Sequence, residues 1–249
     1  MQTRRSRAID AMGLGPLWAS RDVEAVPTES TVAPSADSAH SASNMTNIPF
    51  TSRVEAIAAM SWERLIETVA PCEACRLCET RTQTVFGVGV LRPDWMVIGE
   101  APGADEDARG EPFVGQAGRL LDAMLASVGL SRERNVFIAN VLKCRPPGNR
   151  NPAPEEISQC EPFLRRQIEL LCPRLILLVG KFASATLLGS DASIASLRGK
   201  EHRLAIAGRD IPAVVTYHPA YLLRSPQEKA KAWADLTFAK RIDQRLAAL

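Results

Sequence analysis

A chain of 249 residues, 46% hydrophobic and 23% charged, can bury a real core and is neither wholly disordered nor fibrous. No window approaches the roughly eighteen uninterrupted apolar residues of a membrane span, which excludes a transmembrane protein. A net charge of +2 and a pI near 8.3 neither require nor forbid a nucleic-acid partner.

Residues 1–52 read as an extension. From Pro27 to Ser52, 17 of 26 residues are Pro, Ser, Thr or Ala. Such a segment buries too little apolar surface to offset its ordering entropy, so a disordered tether is expected. Upstream, Arg4, Arg5 and Arg7 precede a stretch with the outline of an export signal. Asp10 and the Gly13-Leu14-Gly15-Pro16 break interrupt its apolar run, so the chain is expected to stay in the cytosol. Residues 8–19 read as a frayed terminus, with a short partner-docking helix around Ile9 to Trp18 as the alternative.

Residues 53–249 have the length of one domain. Trp95 to Ile98 is the first strand-like run. A helix follows from about Gly115, with Ala117, Leu120, Leu121, Met124, Leu125 and Val128 at helical spacing and Gly129 as its stop. Val136 to Val141 is a second strand, and Pro154-Glu155-Glu156 opens a helix with acids at its positive dipole end. Leu175 to Val179 is a third strand, Phe182 to Leu188 a helix and Ala213 to Tyr217 a fourth strand. A last helix starts near Gln227. This alternation predicts an α/β fold with a parallel sheet covered on both faces. Ligands bind such sheets beyond the carboxyl ends of the strands. Gly99-Glu100-Ala101-Pro102-Gly103, the stretch Asn140 to Arg150, and His218-Pro219-Ala220-Tyr221 all fall there.

The six cysteines are too dilute for a disulfide scaffold. Cys72, Cys75 and Cys78 form C-x2-C-x2-C; Cys144 and Cys160 are a distant pair that the fold can bring to the first. Four thiolates point to a metal site, and spacing alone does not separate zinc from a four-iron cluster. Cys172, before Pro173, reads as an ordinary buried thiol.

Taken together, Gly99 to Gly103, Glu106-Asp107, Gly110 to Gly118, Asn140 to Arg150 and His218 to Arg224 resemble the family 4 uracil-DNA glycosylases, the iron–sulfur members of their superfamily. The resemblance runs from about Cys72 to the C-terminus, with the motifs in the family's order. It implies a three-layer α/β/α fold with a short central parallel sheet, matching the alternation, and a DNA repair hydrolase that flips uracil out of DNA and cleaves its glycosidic bond. It also implies a [4Fe-4S] cluster, in preference to zinc, on Cys72, Cys75, Cys144 and Cys160. In the alternative mapping Cys78 replaces Cys75. Gly99, Glu100 and Ala101 would lie along the uracil. Other branches carry Asp or Asn at the Ala101 position to hold water, and this chain lacks that side chain. Uracil-containing DNA is the expected partner, in the nucleoid of a bacterial-type cytosol, and a monomer is expected.

Each candidate residue has a chemical rationale. Phe113 offers a face for the flipped ring. The Asn140 amide can accept from uracil N3–H and donate to O4, a pattern that cytosine reverses. His218, held extended by Pro219, can donate to O2 as negative charge gathers on the leaving base. Glu100 or Glu106 would orient water or offset cationic character on the sugar. His40 and His202 read as surface residues. Lys143, Arg145, Asn149, Arg150 and Arg224 suit phosphates and the DNA backbone, and Leu222 or Leu223 suits a wedge in the base stack.

Three rival readings stand beside this one. A non-catalytic Fe–S or zinc DNA-binding module associated with replication needs the thiolates but not Phe113, Asn140 and His218 on one rim. A covalent DNA-trapping relative needs a histidine in the loop after the second strand, and residues 145–152 have none. A nucleotide phosphohydrolase rests only on the glycine pair Gly87 and Gly89.

Overall fold

The computed structural model describes residues 50–248. Of the extension read over residues 1–52, the docking helix and the tether as far as Pro49 lie outside them, and the tether's last three residues belong to a helix. Helix α1 (Phe50–Ala58) starts before the domain boundary placed at 53, and α2 (Trp62–Val69) follows with its N-terminus capped by Ser61. Neither helix figured among the expected elements.

A six-stranded sheet occupies the centre. Its strands are β1 (Val88–Gly89), β2 (Trp95–Gly99), β3 (Val136–Asn140), β4 (Leu175–Val179), β5 (Glu201–Ile206) and β6 (Arg209–Thr216), in the order β1-β3-β2-β4-β6-β5. The inner four strands run parallel, as expected; the two edges run antiparallel, so the sheet is mixed. Gly87 and Gly89 belong to the β1 edge. A Cβ on Gly89 would overlap the Val136 backbone, so the pair serves close strand packing and not a phosphate loop. Strand β5 alternates exposed and buried residues from Arg203 to Ile206 and joins β6 through Ala207 and Gly208, both at positive φ. That two-residue hairpin geometry normally carries Asn-Gly, which is why the sequence did not announce it.

The inner strands are buried on both faces because alternate residues feed two cores. Trp95, Val97, Leu175, Leu177 and Val214 pack under α4 (Gln116–Ala126) and α9 (Lys229–Ala247). Met96, Ile98, Ile176, Leu178 and Val215 pack under α5 (Pro154–Leu171) and α6 (Lys181–Leu188). The result is the three-layer α/β/α arrangement. The remaining short helices are α3 (Ala104–Arg109), α7 (Ile194–Leu197) and α8 (Pro219–Arg224). Among the described residues no helix is long and apolar enough to cross a membrane.

Candidate active site and thiol cluster

Strands β2, β3 and β6 end at one cleft of about 430 Å³, within the usual range for small-ligand sites. Glu100, Ala101, Glu106, Phe113, Asn140 and His218 all line it, with Asn149, Arg150 and Arg224 at the same opening. Gly99 pairs with Asn140 across the β2–β3 ladder. A Cβ on Gly99 would overlap the Asn140 Oδ1 and stand 2.7 Å from Phe113 Cζ, so glycine here lets amide and ring approach the strand end.

Asn140 is 2% exposed, and its Oδ1 has no hydrogen-bond partner among the described residues. A buried acceptor left unmatched costs about 1–3 kcal/mol unless something supplies a donor. This one belongs to a side chain that lines the cleft.

Phe113 sits at φ 55°, a strained conformation for a non-glycine residue. Three features hold it. Glu106 accepts from the backbone N–H groups of Gly103, Val114 and Gly115 at 2.9–3.1 Å. Arg132 donates to the Pro112 and Phe113 carbonyls and pairs with Asp122. Gly118 passes so close to the Phe113 carbonyl that any Cβ would clash. Both oxygens of Glu106 accept from backbone donors around the Phe113 loop, so its carboxylate shapes that loop while lining the cleft. Arg132 had no sequence signal, since its partners lie about twenty positions away.

His218 caps α8 as expected from the following proline: its backbone is extended, and its Nδ1 accepts from the Ala220 N–H at 3.2 Å. With Nδ1 accepting, the proton of the neutral ring belongs on Nε2. Burial pushes its pKa down to about 4, reinforced by Arg224 and opposed by Glu106. The imidazole is therefore neutral at pH 7. Its centroid lies 5.5 Å from that of Phe113, and Gly180, at φ 95°, packs against its Cβ. Glu100 is half-buried, and burial raises its pKa above the ordinary carboxylate value. Its carboxylate makes no hydrogen bond or ion pair among the described residues.

Two DNA-contact expectations fail on burial. Lys143 is 1% exposed, and its Nζ donates to the Asn140 carbonyl and the Gln167 Oε1. Leu222 is 1% exposed and packs beneath α8 in the core. Arg145 is half-buried and bonded to Asn149, while Arg150 is exposed and tied to Glu156. His202 is half-buried, its Nε2 against the Leu197 carbonyl.

Cys72, Cys75, Cys144 and Cys160 line a second cavity, walled by Val69 and Phe163, on the α5 side of the sheet. All six cysteines are free thiols. Arg81 donates to the Cys144 Sγ at 3.2 Å and the Lys143 N–H to the Cys160 Sγ at 3.2 Å; Arg53 stands 4.0 Å from the Cys72 Sγ. Burial pushes Cys144 up to about 11 and Cys160 up to about 12, so both stay protonated unless a cation draws off the proton. Among the described residues no three His, Cys, Asp or Glu side chains are gathered so as to hold a single metal ion. Four thiols lining one cavity, three of them with N–H donors at their sulfurs, form a donor set of the kind that binds a thiolate-ligated metal centre. Cys78 faces a different groove, beside Glu79 and Glu155. Cys172 is exposed at positive φ at the end of α5, not buried as expected.

The family described as the uracil DNA glycosylase superfamily matches residues 86–237. The type-4 uracil-DNA glycosylase of Archaeoglobus fulgidus is 41% identical over 179 residues, covering 70% of this chain and 89% of the relative. That of Pyrobaculum aerophilum is 41% identical over 181 residues, covering 71% and 92%. That of Thermotoga maritima is 43% identical over 164 residues, covering 66% and 83%.

Proposed function

Because the chain belongs to the uracil DNA glycosylase superfamily, among its type-4 members, we propose that it removes uracil from DNA by hydrolysing the glycosidic bond. The observation that carries the reading is the unpartnered Asn140 Oδ1 on a cleft shared with Phe113 and His218. Uracil supplies the missing donor through N3–H, whereas cytosine presents an acceptor there and leaves the oxygen unpaired. The ring lies against Phe113.

As the N1–C1′ bond breaks, its electron pair moves onto the base and raises the negative charge at O2. A neutral His218, protonated on Nε2, donates to that oxygen. Such a pre-placed donor lowers the barrier by roughly 3–4 kcal/mol. Water adds to C1′, and its proton passes to the Glu100 carboxylate or to solvent. The raised pKa of Glu100 suits it to that role. Arg145, Asn149, Arg150 and Arg224 hold the phosphates, with Leu222 and Lys143 removed from the contact set by their burial.

Cys72, Cys75, Cys144 and Cys160 are the proposed ligands of a [4Fe-4S] cluster. When bound it would act as a covalent cross-link among the four thiolates, joining the start of the domain to the loop after β3. That loop carries Cys144 at one end and the cleft residues Asn149 and Arg150 at the other. The catalytic unit is assigned to residues 53–249, as a monomer in a reducing cytosol, a setting consistent with six unpaired thiols.

The test is to incubate the purified full-length protein with a strand bearing one uracil and then treat it with alkali. Cleavage at that position is expected. An intact strand would instead favour a non-catalytic DNA-binding module.

A further inference from the structure

Burial of Leu222 removes one of the two expected wedges and leaves the half-buried Leu223, while the residue before them, Tyr221, stands exposed at the rim. Tyr221 is 37% exposed and lines the cleft. Large aromatics on a wet rim call for a partner, since Phe113 already serves the pocket floor beside His218.

Tyr221 is also held from behind. Its ring centroid lies 5.1 Å from that of Tyr217, at an interplanar angle of 40°. The Arg198 guanidinium lies 5.6 Å over the Tyr217 ring. Arg198 is fixed in turn by both oxygens of Asp235, at 3.0 and 2.9 Å, and by the Lys231 carbonyl. Asp235 is 1% exposed and also takes the Thr216 hydroxyl at 2.9 Å, anchoring the chain to the end of β6. A run of contacts therefore leads from a buried carboxylate, through a cation and one aromatic, to an exposed aromatic at the cleft mouth. Pre-ordering of this kind lowers the entropy cost of binding a flat ring. Three residues on, Arg224 lines the same opening with no hydrogen bond or ion pair of its own among the described residues, placed for a phosphate.

We propose that Tyr221 is the stacking platform for the nucleobase next to the extruded uracil. The proposal rests on the uracil reading of the cleft and adds the neighbouring nucleotide to the substrate. A π-face is common to all four bases, so the contact tolerates sequence, and it is available on single-stranded DNA. It stabilises the bound strand without touching the bond that breaks, and so acts on KM and not on the saturated rate.

The experiment measures base release on three single strands: one uracil between normal nucleotides, and the same strand with an abasic analogue placed 5′ or 3′ to the uracil. With the wild-type chain, kcat/KM should fall about 10- to 100-fold when the base on one particular side is missing. Tyr221→Ala should lose a similar factor on the normal strand and lose little more when that neighbour is removed. Tyr221→Phe, which keeps the ring, should keep the dependence on the neighbour. Additive losses in Tyr221→Ala, or a wild type indifferent to both abasic neighbours, would overturn the proposal. The second result needs no variant to fold. A wild type that releases no uracil from any strand would instead defeat the underlying reading of the cleft.

Discussion

Gly99 and Asn140 face each other at the last rung of the β2–β3 ladder, and the amide oxygen occupies the space that a side chain on Gly99 would need. Recognition thus depends on a missing methyl group. Gly99→Ala should push the Asn140 amide and the Phe113 ring off position. Displacements of that size cost on the order of 100-fold in rate. The overpacking itself should cost about 1–3 kcal/mol of stability. Single-turnover release and a thermal melt, compared on the same sample, check both.

His218 sets the pH behaviour. Its folded-state pKa of about 4 lies below the ordinary value near 6.5, so the ring stays a neutral donor throughout that interval. The release rate should therefore show no acid limb at 6.5 attributable to this histidine. Stability follows the same shift: unfolded chains take up the proton below 6.5 and folded ones resist it down to 4. Stability is full above 6.5 and declines across that window by about 3 kcal/mol, on the order of 1.4 kcal/mol per pKa unit. His218→Gln should flatten the decline in urea midpoints and slow release by about a hundred- to a thousandfold.

Glu100 and Glu106 should separate cleanly. Glu100 carries a half-buried carboxylate with a raised pKa and no partner among the described residues, so Glu100→Gln should raise the melting temperature at pH 7 while slowing release about 10- to 100-fold. Glu106 holds three backbone donors, so Glu106→Gln should lower both melting temperature and rate. A matched pair of melts and rates distinguishes the catalytic from the positioning carboxylate.

The starts of three inner strands at Trp95, Val136 and Leu175, the cleft rim and the trio Phe113, Asn140 and His218 were legible because continuous apolar runs and Pro-fixed or Gly-rich loops are local signals. The fourth inner strand begins at Arg209, four residues before the expected Ala213. What escaped was tertiary. Nothing in the sequence shows that Arg132 reaches back to Phe113, that Glu106 spends both oxygens on a loop, or that Lys143 turns inward to Gln167. Strand β5 was missed because its residues belong to a wet edge and its hairpin uses Ala207 at positive φ. The buried Leu222 beside the exposed Tyr221 shows the same limit: a helix of six residues gives too little periodicity to say which side faces in.

The thiols predict an iron count. Replacing Cys72, Cys75, Cys144 or Cys160 by Ala should abolish bound iron and lower the melting temperature. Cys78→Ala should keep the iron, since Cys78 faces another groove. Iron per chain, measured by elemental analysis, decides the mapping.

Salt dependence should sort the basic residues. Arg224→Ala should reduce the slope of log affinity against log salt by roughly 0.7 on single strands, one phosphate contact's worth. Lys143→Met should leave that slope alone and lower stability, because its ammonium is buried and bonded to the Asn140 carbonyl and Gln167.

The most direct measurement compares release of 5-fluorouracil with release of uracil from otherwise identical strands. Fluorine makes the departing base a weaker base, and so less dependent on help with its charge. If His218 absorbs that charge, the wild type should favour the fluorinated base only modestly, and His218→Ala should favour it by a much larger factor. Equal preference in the two proteins would mean that the imidazole does not carry the leaving group's charge.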